Sequence, residues 1–343
     1  MKYPIGIQDF EKIRQGGFVY VDKTALVYDL VSRGRIYFLS RPRRFGKSLL
    51  VSTLKYYFQG CKDLFKGLAI DSLEREWKEY PVFHFSFGTS NYTKSGSLDD
   101  VIEKYLSKYE EEYNISSERK DYGLRLQDIL RAAHKKSGRR AVVLLDEYDK
   151  PLLDVMNTGY KGMQNGQELP LEEINRNILK GFYSIFKLAD EDLQFVLLTG
   201  VTKFSQVSVF SGFNQPNDIS NDCRYSALCG ITKEELLSVF KEQIKELGEA
   251  NGMTEEETIE KLKRKYDGYH FSENMLDTFN PFSLLNCFEK KKFKDYWFST
   301  GTPTYLVRLL SDNRQNINEL AGKYYPAAEF VDYKATAQKP LPM

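Results

Sequence analysis

The stretch FLSRPRRFGKSLL, residues 38–50, sets an apolar run and a basic turn directly ahead of Gly46, Lys47 and Ser48, and then of a helical pattern. Residues 36–39 read as a short buried strand, and Leu50, Val51, Leu54, Tyr57 and Phe58 recur at helical spacing until Gly60 stops the run. A strand, a tight turn and a helix N-terminus in this order present backbone N–H groups to an anion, with Lys47 placed for terminal phosphates and the Ser48 hydroxyl for magnesium. The pattern G-x-x-x-x-G-K-[ST] is broken at its first position, where Arg41 stands. A side chain there is costly if the turn needs positive φ. Pro42 is expected to hold the turn in part, and Arg41, Arg43 and Arg44 add positive charge around the phosphate position. A chance G-K-S in a basic turn is the alternative, so a second motif has to decide.

That motif is RRAVVLLDEYDK, residues 139–150, in which Ala141 to Leu145 lead without interruption into Asp146 and Glu147. It reads as a fully buried strand ending in two acids. A nucleotide hydrolase needs one carboxylate at a strand end for the magnesium shell and a second beside it to take a proton from the attacking water. Asp146 suits the first role and Glu147 the second; a core strand that exits into a solvated acidic turn is the plainer reading. Residues 194–200, QFVLLTG, form a further apolar strand that carries Thr199 near its end. Thr199 is the candidate for sensing the γ-phosphate or positioning water, or else a β-branched residue at a strand end.

The runs YPIGIQDFEKIRQGGFVYVDKT, RPRRFGKSLL, LLDEYD and TGVTKFSQVSVFSGFN together resemble the bacterial AAA-ATPase-like family, which is grouped with the STAND-type P-loop ATPases. The resemblance runs along nearly the whole chain. It implies ATP as ligand, magnesium as its cation, and an arginine at the first loop position as a family trait. It also implies that Gly301, Thr302 and Pro303 correspond to a G-x-P element that opens a lid helix and brings Pro303 near the nucleotide. Independently, Gly301 allows a turn and Pro303 suits a first helical position. Family members often continue into a PD-(D/E)XK nuclease-like domain, and the chain is expected to stop at Met343 before that region. Glu329, Asp332 and Lys334 have no paired upstream acid and are read as a decoy.

Composition excludes little but consistently. Lys plus Arg number 49 and Asp plus Glu 48, a formal charge of +1, so no bulk electrostatic case exists for nucleic acid or a membrane surface. Nucleic-acid contact enters only by family analogy, and a homo-oligomer or a protein partner is the other expectation of that kind. Cys61, Cys223, Cys229 and Cys287 form no C-x-x-C pair, which argues against zinc. No secretory leader follows Met1 and no apolar stretch reaches bilayer length, so a cytoplasmic location is expected.

Along the chain, residues 1–35 read as an N-terminal wrap; the resemblance implies that it lies over the adenine, with Ile5 and Phe10 as candidate base contacts. Ser97 with Asp100, and Thr232 with Glu235, have the spacing of capping boxes. Glu110 to Glu112 read as a solvated helix face, and Asn157 to Pro170 as a flexible loop beside the acids. The fold expected is α/β: a P-loop NTPase core with a central, mainly parallel sheet at 1–230, a helical lid with part of a winged helix at 231–312, and a C-terminal segment at 313–343. The residues expected at the nucleotide are Arg41, Pro42, Arg43, Arg44, Phe45, Gly46, Lys47, Ser48 and Pro303, with Ser48 and Asp146 on magnesium. Glu147, Lys47, Thr199 and Arg44 are the expected catalytic set, Arg44 through transition-state charge. ATP hydrolysis coupled to lid movement is the first reading; a nucleotide-gated switch that hydrolyses little is the second.

Overall fold

The computed structural model describes residues 1–203, 216–271 and 276–297. Its centre is a five-stranded, all-parallel sheet flanked by helices, in the order β2-β3-β6-β1-β7. The strands are β1 (Ile36–Ser40), β2 (Val82–Ser86), β3 (Ala141–Asp146), β6 (Leu193–Gly200) and the short β7 (Asn217–Asp218); β4 and β5 form a separate hairpin described below. The residues divide into two compact units, Met1–Val82 with 217–297 and Phe83–Pro216.

In the first unit, α1 (Phe10–Gln15) and α2 (Thr24–Arg33) precede β1, and α3 (Lys47–Phe58) follows the loop. β1 buries Tyr37, Phe38 and Leu39, as its apolar run requires. β7 pairs with it in parallel, Tyr37 opposite Asn217 and Phe38 opposite Asp218. The short α4 (Ala69–Leu73) packs on α2. Beyond β7 the described residues form four α-helices, Lys233–Val239, Lys241–Asn251, Glu255–Tyr266 and Pro281–Lys290. They share a core that includes Leu236, Phe240, Ile244, Leu262, Leu284 and Phe288, and Tyr3, Val19 and Val21 of the N-terminal segment pack against it. Burying each such side chain contributes about 1.5–3 kcal/mol. A three-stranded antiparallel sheet, β8 (Ile231–Thr232), β9 (Tyr269–His270) and β10 (Asp277–Phe279) in the order β8-β10-β9, lies within this segment. The Thr232–Glu235 capping box is present, each residue's side chain bonded to the other's backbone N–H.

In the second unit, β3 is buried at every position and pairs in parallel with β6 through Leu145 and Leu198. Helices α5 (Ser97–Tyr113), α6 (Tyr122–Ser137) and α8 (Leu171–Leu188) pack on one another. Leu126, Ile129, Leu130 and Ala133 form the buried stripe of α6. Three expectations are corrected here. No capping box forms at Ser97, because Gly96, at φ 82°, is the N-cap and Ser97 is already helical. Glu111 and Glu112 are exposed as expected, but Glu110 is not part of the solvated face: with Glu103 it accepts hydrogen bonds from the Arg125 guanidinium. After the four-residue α7 (Lys150–Leu153), the segment 157–170 contains an ordered hairpin of β4 (Lys161–Gln164) and β5 (Gln167–Pro170). Asn165 and Gly166, at φ 52° and 78°, make the left-handed pair that a two-residue hairpin turn demands.

Among the described residues no helix is long and apolar enough to cross a membrane. Gly301, Thr302, Pro303, the remainder of the proposed lid, the segment 313–343 and the triplet Glu329, Asp332 and Lys334 lie outside the described residues.

Candidate functional site

The loop between β1 and α3 is shaped by two left-handed residues, Arg44 at φ 68° and Gly46 at φ 92°. Arg41 is not among the residues with positive φ, so the missing first glycine costs nothing in backbone strain. The strain sits at Arg44, where a side chain occupies the left-handed region at about 1–2 kcal/mol. Gly46 is the N-cap of α3, and having no side chain it leaves the first amides of that helix without a local cap. Such an N-terminus favours an anion through its partial positive charge.

The loop side chains then go to different places. Lys47 is 6% exposed, and its ammonium donates to the carbonyls of Arg41 (2.8 Å) and Pro42 (2.9 Å). Ser48 is half-buried on the first turn of α3. Arg41 is 1% exposed and turns into the protein, donating to the carbonyls of Ser40, Ser220 and Tyr225 at 2.9, 2.6 and 3.2 Å. Its burial pushes the guanidinium pKa down to about 10. Phe45 is buried against Tyr269 and Phe271, with ring centroids 4.6 and 5.3 Å away. The Arg43 carbonyl accepts the Trp297 indole N–H at 3.0 Å, and the exposed Arg44 guanidinium lies 5.0 Å from the Phe282 ring centre. The basic turn expected to surround a phosphate is therefore largely gripped by the segment beyond β7.

Beside Gly46 opens a small, mainly apolar cavity. Its walls come from Leu49, Leu50 and Thr53 of α3, from Pro4 and Val19 to Val21, and from Leu228, Cys229, Ile231 and Phe240. Neither Ile5 nor Phe10 is part of that lining: Phe10 is fully buried against Tyr20 and Phe65. Lys23 reaches the cavity with its ammonium on Glu235 at 2.5–2.6 Å, and burial lowers its pKa against the opposing pull of that carboxylate.

In the second unit, the tetrad Asp146–Asp149 interlocks with the end of β6. Thr199 donates its hydroxyl to Asp146 Oδ1 at 2.6 Å, both residues being buried. Tyr148 donates its N–H to the Thr199 carbonyl and its hydroxyl to the Thr202 carbonyl, both at 3.0 Å. Asp149, 1% exposed, accepts from the N–H groups of Val201 and Thr202 and from the Thr202 hydroxyl at 2.7–2.8 Å. Gly200 makes this interlock possible, since a Cβ there would stand 2.4 Å from the Tyr148 ring. Glu147 departs from the pattern: at φ 54° it carries left-handed strain, and its carboxylate lies against Gly88, where a Cβ would come within 2.5 Å of Oε2. Tyr148, Asp149, Gly200 and Gly88 were missed in the sequence reading, although the D-E-Y-D and T-G strings carried the signal.

A family model described as AAA-ATPase-like, "Predicted AAA-ATPase", matches residues 4–210. The chain belongs to that family. The AAA-ATPase-like chain is also 41% identical over 317 residues to an "Uncharacterized protein in vnfD 5'region" of Azotobacter chroococcum mcd 1, an alignment covering 91% of this chain and 57% of that protein. The chain thus spans less than two thirds of its relative's length. No solved structure matches it.

Proposed function

We propose that this AAA-ATPase-like chain binds ATP with magnesium and hydrolyses the β–γ phosphoanhydride, with turnover coupled to movement of the helical segment after residue 230. The observation that carries the reading lies within the first unit: an uncapped helix N-terminus behind a left-handed glycine, with a buried lysine on the loop carbonyls and an apolar cavity beside both. The cavity suits a purine base, and the α3 amides with Lys47 suit the β and γ phosphates.

The donors fit magnesium by their chemistry. Asp146 offers a carboxylate oriented by Thr199 and Ser48 a hydroxyl, hard oxygen ligands of the kind that hold this ion together with nucleotide phosphates and water. Among the described residues no group of three or more His, Cys, Asp or Glu could hold a metal, and an ion arriving with its nucleotide needs none. When bound, magnesium neutralises phosphate charge that develops toward the leaving group. Glu147 takes the proton from the attacking water, whose oxygen bonds to the γ-phosphorus as the bridging oxygen leaves with ADP.

One observation favours the second reading, a nucleotide-gated switch with little turnover. The Thr199 hydroxyl donates to Asp146, a bond that sets the metal carboxylate rather than a water. Equilibrium ATP binding and magnesium-dependent phosphate release from wild type, Lys47→Ala and Glu147→Gln separate the readings. Hydrolysis predicts that Lys47→Ala loses binding while Glu147→Gln binds ATP and turns over about 10²–10⁴-fold more slowly. Wild type that binds without releasing phosphate selects the switch; wild type that does neither removes the nucleotide reading.

A further inference from the structure

Arg41 occupies the position where the loop pattern has a glycine, yet its backbone does not use a glycine's freedom and its side chain does not point outward. The guanidinium prolongs the seam between β1 and β7. Where the strands end, Ile219 donates its N–H to the Phe38 carbonyl and Ser40 its N–H to the Ser220 hydroxyl; Arg41 then binds the carbonyls of Ser220 and Tyr225. The plane of the group is covered by Phe271, 4.1 Å from the guanidinium carbon. Among the described residues no carboxylate forms an ion pair with Arg41, so this buried charge is held by backbone dipoles and an aromatic face. The carbonyl of the same residue receives the Lys47 ammonium.

We propose that Arg41 is a positioning residue for nucleotide binding: its side chain fixes the loop backbone to the segment beyond β7, and its carbonyl thereby sets the resting place of Lys47. This rests on the nucleotide reading above and adds to it that the first-position arginine acts through Lys47 rather than on phosphate. A flat group that reaches three carbonyls from two separated nitrogens while stacking on a ring cannot be reproduced by a lysine's compact ammonium, so Arg41→Lys is not a conservative change here. Arg41→Gly restores the general loop pattern and tests whether the arginine merely fills a glycine position.

The test is titration of the full chain with ATP and with ADP, alongside thermal melts, for wild type, Arg41→Lys, Arg41→Gly and Phe271→Leu. A loop that has lost its anchor should bind both nucleotides about tenfold or more weakly in either Arg41 variant, in similar ratio, at temperatures where the melts show folded protein. Phe271→Leu keeps the guanidinium and removes its cover; a loss of several-fold, again shared by ATP and ADP, is expected from the weaker stacking contribution. It also supplies the answer if an Arg41 variant fails to fold. Loss of ATP affinity with ADP unchanged would make Arg41 a direct ligand of the terminal phosphate and overturn the proposal. Unchanged binding of both nucleotides in the folded variants would do the same. Wild type that binds neither nucleotide would instead sink the reading on which the inference stands.

Discussion

In the loop from Arg41 to Gly46, two side chains are spent on holding the backbone, Arg41 on carbonyls and Phe271 and Phe45 on an aromatic pair, while Arg44 stays exposed beside Phe282. In the tetrad from Asp146 to Asp149 the division is similar but the chemistry is reversed. Three residues tie the strand end to β6, with acceptors meeting N–H and O–H donors, and the fourth, Glu147, is turned toward Gly88 by a left-handed backbone. A basic loop is held by carbonyls and rings, whereas the two buried aspartates of the acidic turn are held by amides and hydroxyls. In each, most of the signature holds a backbone shape in place for the minority of residues proposed to meet nucleotide.

The comparison breaks most easily at two glycines. At Gly200 a Cβ would strike the ring of Tyr148, a buried residue bonded through both its backbone N–H and its hydroxyl, so Gly200→Ala should cost about 3 kcal/mol in chemical denaturation. At Gly88 the Cβ would meet the far end of the Glu147 side chain, which can swing away. Gly88→Ala should therefore lose less than about 1 kcal/mol of stability while slowing phosphate release about tenfold or more, through a displaced base. Equal losses of stability at the two positions would show that Glu147 is as rigidly fixed as Tyr148.

Thr199→Val comes next. It removes the donor from Asp146 with little change of volume and leaves a buried carboxylate oxygen without that bond, a cost of about 1–3 kcal/mol. The magnesium concentration that gives half-maximal ATP binding should rise in parallel, because the carboxylate loses its orientation. A stability loss with no change in magnesium dependence would confine Thr199 to a structural part.

Much of this was legible from the chain. Strands announce themselves by unbroken apolar runs, so β1, β3 and β6 stand where the patterns at 36–39, 141–145 and 194–200 put them. Helix α3 follows from its spacing and its preceding glycine. What could not be read was direction. Nothing in RPRRF tells that Arg41 faces inward, because the carbonyls of Ser220 and Tyr225 that receive it are remote in sequence. The hairpin at 161–170 is different: Asn165-Gly166 is a local signal, and the abundance of glycine in NTGYKGMQNGQELP masked it as flexibility. Ser97 fails as a cap for a related reason, since Gly96 one residue earlier adopts the required conformation and draws Ser97 into the helix.

The smallest effect on stability, and the sharpest division of labour within the loop, is expected at Arg44. Replacing it with glycine relieves a left-handed residue at φ 68°, a gain of about 1 kcal/mol. It also removes the guanidinium from the Phe282 ring, a loss of about 0.5–1 kcal/mol at an exposed position. The two offset, so Arg44→Gly should melt within a few degrees of wild type, as expected for a change below about 0.5 kcal/mol. Any change in turnover is then chemical rather than conformational. Because Arg44 is exposed where Arg41 is buried, its guanidinium is able to meet transition-state charge as that of Arg41 is not, and kcat should fall about tenfold with ATP affinity held. Loss of affinity at constant kcat would instead make Arg44 part of the same anchoring system as Arg41, and both arginines would then act on the backbone.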